Sequence, residues 1–164
     1  MSAKVFLNGM IVDESDAHVS IHDAGLMHGV GLFETMRSYK GVVFRLADHL
    51  DRLFRSAKTL GIEIDHNRAE LAEAVEDLLD ANSLTEARIR LTVTRGSLAQ
   101  LDEDQPPRST LILTAAKQQS YPAEYYKKGM TVIISRYKQN PDDPLSGHKA
   151  LSFFPACWPF RKHS

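Results

Sequence analysis

The sequence LFETMRSYKGVVFRLADHLDRLFRSAKTL, residues 32–60, decides the fold because a hairpin signal is followed directly by a helix signal. Residues 32–39 and 42–46 flank a Lys-Gly pair, and such a pair between two apolar runs is typical of a tight β-turn. From residue 47 to residue 60, apolar side chains recur every three or four positions, which predicts an amphipathic helix that ends at Gly61. Together they indicate a sheet with a helix packed on it.

The residues before this stretch predict more short strands. Residues 4–8 and 10–13 form a second hairpin candidate, since Asn-Gly is a strong two-residue turn signal. Residues 19–21 are predicted as a further short strand. Residues 22–31 contain three glycines and two histidines, a composition that disfavours a long helix. His22 and Asp23 are interpreted as a turn stabilised by side-chain hydrogen bonds.

The residues after this stretch continue the mixture of strands and helices. The predicted helices are residues 68–81, with Leu71, Val75, Leu78 and Leu79 facing inward, and residues 121–128; the predicted strands are residues 87–94, 110–115 and 130–135. The prediction is therefore an α+β fold, a mostly antiparallel sheet with two packed helices.

The composition excludes several classes of protein. The 164 residues include 20 basic and 21 acidic side chains, so no strong field attracts nucleic acid or an anionic membrane surface. Cys157 is the only cysteine, which excludes an internal disulfide framework. The sequence shows no run of about 18 apolar residues and no signal-peptide pattern. We therefore expect a cytoplasmic protein with no nucleic-acid or membrane partner.

Lys149 is the candidate catalytic residue. It lies in DPLSGHKALSFF, residues 143–154, with Gly147 and His148 before it and a small apolar run after it. Partial desolvation disfavours the ammonium form, which makes a lysine amine nucleophilic enough to form a Schiff base. The alternative is a solvated loop lysine, since lysine side chains are mostly exposed.

Several short sequences occur in a characteristic order along the chain: residues 8–9 (NG), 20–37, 39–46, 49–60, 94–97 (TRGS), 140–149 (NPDDPLSGHK) and 151–153 (LSF). The ordered set resembles the class IV, or fold-type IV, pyridoxal-phosphate enzymes. These include branched-chain and D-amino-acid aminotransferases and aminodeoxychorismate lyases. The resemblance implies that this chain corresponds to the small N-terminal domain of that fold.

The resemblance also implies roles for single residues. Lys149 corresponds to the lysine that binds pyridoxal 5′-phosphate covalently and moves the substrate proton. Arg52 corresponds to the arginine that binds the cofactor phosphate, for which a planar guanidinium is well suited. His28, Phe33 and Arg37 correspond to residues that border the substrate pocket.

Each assignment has a structural alternative. Arg52 would otherwise pair with Asp48 on an exposed helix turn, and Phe33 would otherwise be an ordinary core residue. His18 and His22 have a spacing that suggests metal binding, but further ligands are lacking, so we predict no metal site.

The resemblance predicts three segments: a small domain (residues 1–138), an interdomain segment with the lysine (139–154) and a divergent tail (155–164). In the family a large C-terminal domain follows, which is missing here. It supplies the acidic residue that pairs with the cofactor's ring nitrogen. We therefore expect a homodimer if the protein is complete, and a truncated chain that is inactive alone.

Three functions are left open by the sequence. The first is a branched-chain-like aminotransferase that acts on an amino acid and a 2-oxo acid. The second is an aminodeoxychorismate lyase, which makes 4-aminobenzoate and pyruvate, and the third is a catalytically inactive domain. The loop after Arg95 lacks the arginine and histidine of the D-amino-acid enzymes, which argues against that specificity.

Overall fold

Six antiparallel strands form one sheet, and two long helices cover one of its faces. The computed structural model describes residues 2–97, 108–132, 134, 138 and 140–152. The strands are β1 (Lys4–Leu7), β2 (Met10–Asp13), β3 (Gly31–Tyr39), β4 (Val42–Val43), β5 (Ala87–Thr94) and β6 (Thr110–Lys117), in the order β2-β1-β6-β5-β3-β4. The helices are α1 (Ala24–His28), α2 (Leu46–Leu60), α3 (Arg68–Ala81), α4 (Ala123–Lys128) and a 3₁₀ turn, Glu14–Asp16. The predicted α+β fold, with a mostly antiparallel sheet and two packed helices, is confirmed.

Both predicted hairpins are present, and the backbone conformation of their turn residues explains why they form. Asn8 and Gly9 have φ values of 49° and 95°, and Lys40 and Gly41 have 50° and 83°. Two successive positive φ angles define the type I′ turn, whose twist matches that of the flanking strands. The first hairpin joins β1 to β2 and the second joins β3 to β4.

The second hairpin is shorter than predicted. We predicted a strand over residues 42–46, but β4 contains only Val42 and Val43. Arg45 has a left-handed conformation with φ 55°, which ends the extended chain and lets α2 begin at Leu46. The predicted end of α2 is confirmed, because Gly61 caps it at φ 65°.

Two further predicted strands are wrong where the structure describes them. Residues 19–21 form no strand, and Ile21 is 74% exposed. Of residues 130–135, those described are also outside any strand, and Ile134 is 99% exposed. Apolar β-branched residues favour strands only where a neighbouring strand pairs with them. Residues 133 and 135 lie outside the described part of the chain.

The core lies between the sheet and helices α2 and α3. Side chains alternate along β3, β5 and β6, so every second residue faces the helices. Core side chains include Phe6, Leu32, Met36, Ile89, Leu91, Val93, Leu111 and Leu113 from the sheet and Leu50, Leu53, Leu71, Val75, Leu78 and Leu79 from the helices. We call this side of the sheet the helix face. The predicted inward residues of α3 are confirmed.

The opposite side of the sheet carries a different set of residues. Phe33, Arg37, Arg88 and Arg90 occupy this side, because Phe33 pairs with Thr92 and Arg37 pairs with Arg88 across β3 and β5. Strands β3, β5 and β6 contribute no Asp or Glu to this side. We call it the arginine face.

Candidate active site

Lys149 lies against the edge of β3. The Phe33 N–H donates to the Lys149 carbonyl at 2.9 Å, and the Leu151 N–H donates to the Gly31 carbonyl at 2.9 Å. Between them, Ala150 forms an antiparallel bridge with Leu32. The backbone around Lys149 therefore extends the sheet by a short segment.

A glycine in β3 makes room for this segment. A Cβ atom on Gly31 would lie 2.5 Å from the Leu151 side chain and 2.5 Å from the Val93 carbonyl oxygen. Real Cβ atoms do not approach so closely, so a larger residue would displace the Lys149 segment or β5.

The Lys149 side chain lies on the arginine face, over Phe33. Its Nζ atom is 4.2 Å from the centroid of the Phe33 ring, and the Arg90 Cζ atom is 4.0 Å from the same centroid. Phe33 is 7% exposed but is not part of the helix-face core. The structure therefore brings together two of the predicted site residues and adds Arg90.

Arg52 is held on the helix face by a buried carboxylate. Its Nε donates to Glu34 Oε1 at 2.6 Å, and its Nη2 donates to Glu34 Oε2. His49 Nδ1 lies 2.8 Å from Glu34 Oε2, and Glu34 is only 1% exposed. The alternative pairing of Arg52 with Asp48 is wrong, because Asp48 pairs with Arg45 at 2.6 Å.

The charges in this cluster stabilise one another. Burial raises the pKa of the Glu34 carboxyl, but hydrogen bonds from Arg52 and His49 outweigh burial and hold that pKa below its usual value. In return, the hydrogen bond to Glu34 raises the pKa of Arg52. Arg52 is therefore a fixed cation, with one edge of its guanidinium on Glu34 and its side chain 44% exposed.

The exposed side of Arg52 borders a cavity of about 380 Å³ along the first half of α2. Its lining residues are Arg45, Asp48, His49, Asp51, Arg52 and Arg55. The two acidic residues pair with Arg45 and with Arg68 of α3. Because guanidinium groups bind phosphate oxygens well, this cavity fits a phosphate group. Lys149 does not line it.

Arg52 and Lys149 contact consecutive residues of β3. The partner of Arg52 is Glu34 on the helix face, and the residue under Lys149 is Phe33 on the arginine face. The two cations thus approach β3 from opposite sides.

The other two predicted site residues lie farther along β3 and at the end of α1. Arg37 is four residues along β3 from Phe33, roughly 13 Å at the usual rise of a strand, and its Cζ lies 4.8 Å from the Tyr39 ring centroid. Its Nε is buried without a hydrogen-bond partner in the described part of the chain. His28 is exposed at the end of α1.

The pKa of Arg90 is lowered by its surroundings on the arginine face. Burial, and then the nearby charge of Arg88, lower the pKa of the Arg90 guanidinium. Arg90 Nε donates to the Thr92 hydroxyl at 3.2 Å. Arg90 thus differs from Arg52, which has a carboxylate partner.

The sequence did not identify Glu34, His49 and Arg90 as site residues. A signal existed for Glu34, because the alternation of β3 places it in line with Leu32 and Met36, on the face of the core. A charged residue at a core position requires a partner. The partners His49 and Arg52 lie 15 and 18 residues later in the chain, so the pattern of β3 does not identify them.

The turn before α1 is confirmed as structural. Asp23 is 1% exposed and accepts hydrogen bonds from the Gly25 N–H and from the hydroxyls of Thr94 and Thr110, each at 2.7 Å. It therefore joins α1 to the ends of β5 and β6.

The described residues offer neither a membrane span nor a metal cluster. No helix in that part of the chain is long and apolar enough to cross a membrane. The same residues contain no group of three or more His, Cys, Asp or Glu side chains that could hold a metal ion. The loop after Ser97 and the tail from residue 153 onward lie outside the described residues.

A family model described as amino-transferase class IV matches residues 31–162. Among curated relatives, a putative branched-chain-amino-acid aminotransferase of Methanocaldococcus jannaschii is 52% identical over 93 residues, which cover 57% of this chain and 32% of the relative. A D-alanine aminotransferase of Staphylococcus epidermidis is 34% identical over 133 residues, covering 80% of this chain and 47% of the relative. The chain thus spans half or less of the length of these relatives.

Solved structures show the same relationship. The branched-chain amino acid aminotransferase of Escherichia coli superposes with a TM-score of 0.80 at 29% identity, covering 92% of this chain and 52% of that one. The 4-amino-4-deoxychorismate lyase of Pseudomonas aeruginosa gives 0.75 at 27% identity, covering 98% and 57%. The branched-chain amino acid aminotransferase of Thermoproteus uzoniensis with norvaline gives 0.65 at 32% identity, covering 75% and 43%.

Proposed function

The chain belongs to the class IV amino-transferase family, and on that premise we propose that it carries the cofactor-binding half of a pyridoxal-phosphate-dependent aminotransferase. The reaction exchanges the amino group of an amino acid with the oxo group of a 2-oxo acid. The observation that carries the proposal is that Lys149 and Arg52 are each fixed to β3 at consecutive residues, Phe33 and Glu34. An amine and a phosphate-binding guanidinium are two of the groups that this cofactor requires.

Two of the residue types that pyridoxal 5′-phosphate requires are present: the Arg52 guanidinium on the helix face and the Lys149 amine on the arginine face, outside the cavity along α2. When bound, the cofactor supplies an aldehyde that condenses with primary amines and a ring that withdraws electrons from the reacting carbon. Arg52 would hold the phosphate in the cavity along α2, and Glu34 and His49 keep its guanidinium oriented. The Lys149 amine would hold the aldehyde, and it is also the group that would take the proton from the substrate Cα.

The arginine face is the proposed substrate side. Phe33 excludes water near the Lys149 amine, and Arg90 is available to bind a substrate carboxylate, because a guanidinium and a carboxylate form paired hydrogen bonds. Arg37 lies farther along β3 and His28 is exposed at the end of α1, so we assign both to the border of the pocket. A homodimer, a cytoplasmic location and a small-molecule amino acid or 2-oxo acid substrate complete the proposal.

A lyase is the second candidate, because the chain superposes over 98% of its length on a 4-amino-4-deoxychorismate lyase. Branched-chain amino acids with 2-oxoglutarate test the transferase, and aminodeoxychorismate tests the lyase through release of 4-aminobenzoate and pyruvate. Absence of both activities, with the cofactor bound, would support the inactive domain.

The test of the cofactor site is covalent trapping. Addition of pyridoxal phosphate to the 164-residue chain should give an absorbance band at the short-wavelength end of the visible spectrum. Borohydride should then attach the cofactor irreversibly to Lys149 as a label. Peptide mapping that finds the label spread over surface lysines, with Lys149 not enriched, would overturn the proposal.

A further inference from the structure

A buried hydroxyl of α2 contacts the residue that precedes Lys149. His148 Nδ1 lies 2.9 Å from the Ser56 Oγ, and Ser56 is only 4% exposed. Ser56 follows Arg52 by four residues, so both side chains lie on the same side of the helix. The contact therefore joins the turn of α2 next to Arg52 with the segment that carries Lys149.

With this contact, α2, β3 and the Lys149 segment are each bonded to the other two. The Lys149 segment is bonded to β3 through Phe33 and Gly31, and α2 is bonded to β3 through Glu34. Ala150 also lies in the core cluster with residues of α2, but apolar packing is non-directional and does not fix the segment and the helix at one relative position. The contact between Ser56 and His148 supplies a directional third link.

We infer that Ser56 and His148 are positioning residues that fix the separation between the Lys149 amine and the Arg52 guanidinium. The inference rests on the proposed function, because that separation matters only for a ligand that contacts both groups. A rigid ring with an aldehyde at one point and a phosphate at another requires a fixed separation, since misplacement of either contact loses the advantage of binding both. Neither residue needs to touch the ligand.

The experiment compares labelling of Lys149 by pyridoxal 5′-phosphate and by pyridoxal, which lacks the phosphate. The lysine amine condenses with the aldehyde and one water leaves; borohydride then adds a hydride to the carbon of the C=N bond, and the nitrogen takes a proton from water. Mass spectrometry of the peptide with Lys149 gives the ratio of the two labelling yields. This phosphate selectivity measures whether one ligand contacts both residues.

In the wild-type chain, we expect selectivity of about tenfold or more, since a charge-assisted phosphate contact is among the stronger hydrogen bonds. Arg52→Ala should bring it close to one. Arg52→Lys keeps the charge in case the alanine variant unfolds, and it should lower the selectivity because lysine lacks the paired donors of the guanidinium. Ser56→Ala and His148→Ala should lower it about fivefold, as expected for the loss of one neutral hydrogen bond. Labelling by pyridoxal should stay unchanged.

Rescue and control variants separate positioning from general damage. His148→Asn keeps a hydrogen-bonding atom near the position of Nδ1 and should retain most of the selectivity. Thr59→Ala, an exposed position on α2, and His18→Ala, an exposed histidine, should match the wild type. In the Arg52→Ala background, Ser56→Ala should have no further effect on the selectivity, because residues that act through one contact are not additive.

The outcomes are distinct. High selectivity in the wild type that persists in Ser56→Ala and His148→Ala overturns the positioning role and leaves the proposed function intact. A wild-type selectivity near one overturns the shared cofactor site, and the inference falls with it. Loss of pyridoxal labelling along with phosphate labelling would assign Ser56 and His148 to the fold around Lys149 and would also overturn the inference.

Discussion

Arg52 and Arg90 lie on opposite faces of one sheet and meet opposite environments. On the helix face, Arg52 contacts a buried carboxylate that raises its pKa. On the arginine face, Arg90 lies on the Phe33 ring, where burial and Arg88 lower its pKa. The difference shows that the fold holds its two cations in different ways: a buried carboxylate fixes Arg52 in place, whereas Arg90 lies on an aromatic ring beside a like charge.

The largest expected effect comes from removal of the cation on the helix face. Arg52→Ala leaves Glu34 buried beside a single histidine. Loss of one partner of a buried pair typically costs about 3–5 kcal/mol, and we expect the lower end because Arg52 is partly exposed. Urea unfolding followed by circular dichroism measures it. Arg55→Ala, an exposed arginine one turn away, is the control and should change stability by less than about 0.5 kcal/mol.

A double variant sharpens this result. Glu34→Gln with Arg52→Ala removes both charges, so it should be more stable than Arg52→Ala alone. If the double variant is less stable than Arg52→Ala alone, the uncompensated Glu34 carboxylate is not the reason why Arg52→Ala loses stability.

Acid should weaken the helix-face cluster in a defined direction. The pKa of Glu34 is lower in the folded chain than its ordinary value of 4.5. Its stabilisation is therefore complete above the unfolded pKa and is lost as the pH falls through the folded pKa. Wild type and Glu34→Gln should differ by a constant free energy of unfolding above about pH 5, and the difference should shrink at lower pH. A difference that grows on acidification would contradict the assignment.

Replacement of the ring tests the other face. Phe33→Leu keeps an apolar side chain but removes the surface on which the two cations lie. We expect a loss of about 1–2 kcal/mol, from smaller buried area and two lost cation–π contacts. Phe44→Leu is the matched control, because Phe44 is 61% exposed and should tolerate the change. Equal losses at the two positions would remove the special role of Phe33.

The smallest effect is expected at Arg90. Arg90→Leu removes a partly buried cation that has a like charge beside it and no acidic residue from the strands of its face, so stability should change by less than about 0.5 kcal/mol. Thermal unfolding measures this. A loss comparable to that of Arg52→Ala would mean that the two faces hold their arginines equally tightly.

Local patterns were sufficient for most of the fold. The Asn-Gly and Lys-Gly turns, the apolar stripes of α2 and α3, and the alternation of β5 each depend on neighbours within a few residues. The end of β4 was not predictable in this way, because Arg45 adopts a left-handed conformation that few arginines adopt. The strand predicted around residue 134 was also wrong, because a strand forms only where residues distant in the sequence pair with it.

The candidate site depends still more on distant contacts. Nothing in the periodicity of β3 indicates that Phe33 would lie under Lys149, and only the resemblance to class IV enzymes linked Lys149 to Arg52. The Glu34 side chain was the exception. Its position among the core residues of β3 was visible in the sequence, although its partner was not.

The edge of β3 is completed by residues that are synthesised late. β4 covers this edge at Ser38 and Tyr39 as soon as the hairpin has formed, whereas the Gly31 carbonyl and the Phe33 N–H find their partners only in Leu151 and Lys149. While the chain is still on the ribosome, these two groups form an open strand edge, which can pair with other nascent chains. The segment around Lys149 therefore also covers this part of the β3 edge, where other chains would otherwise pair.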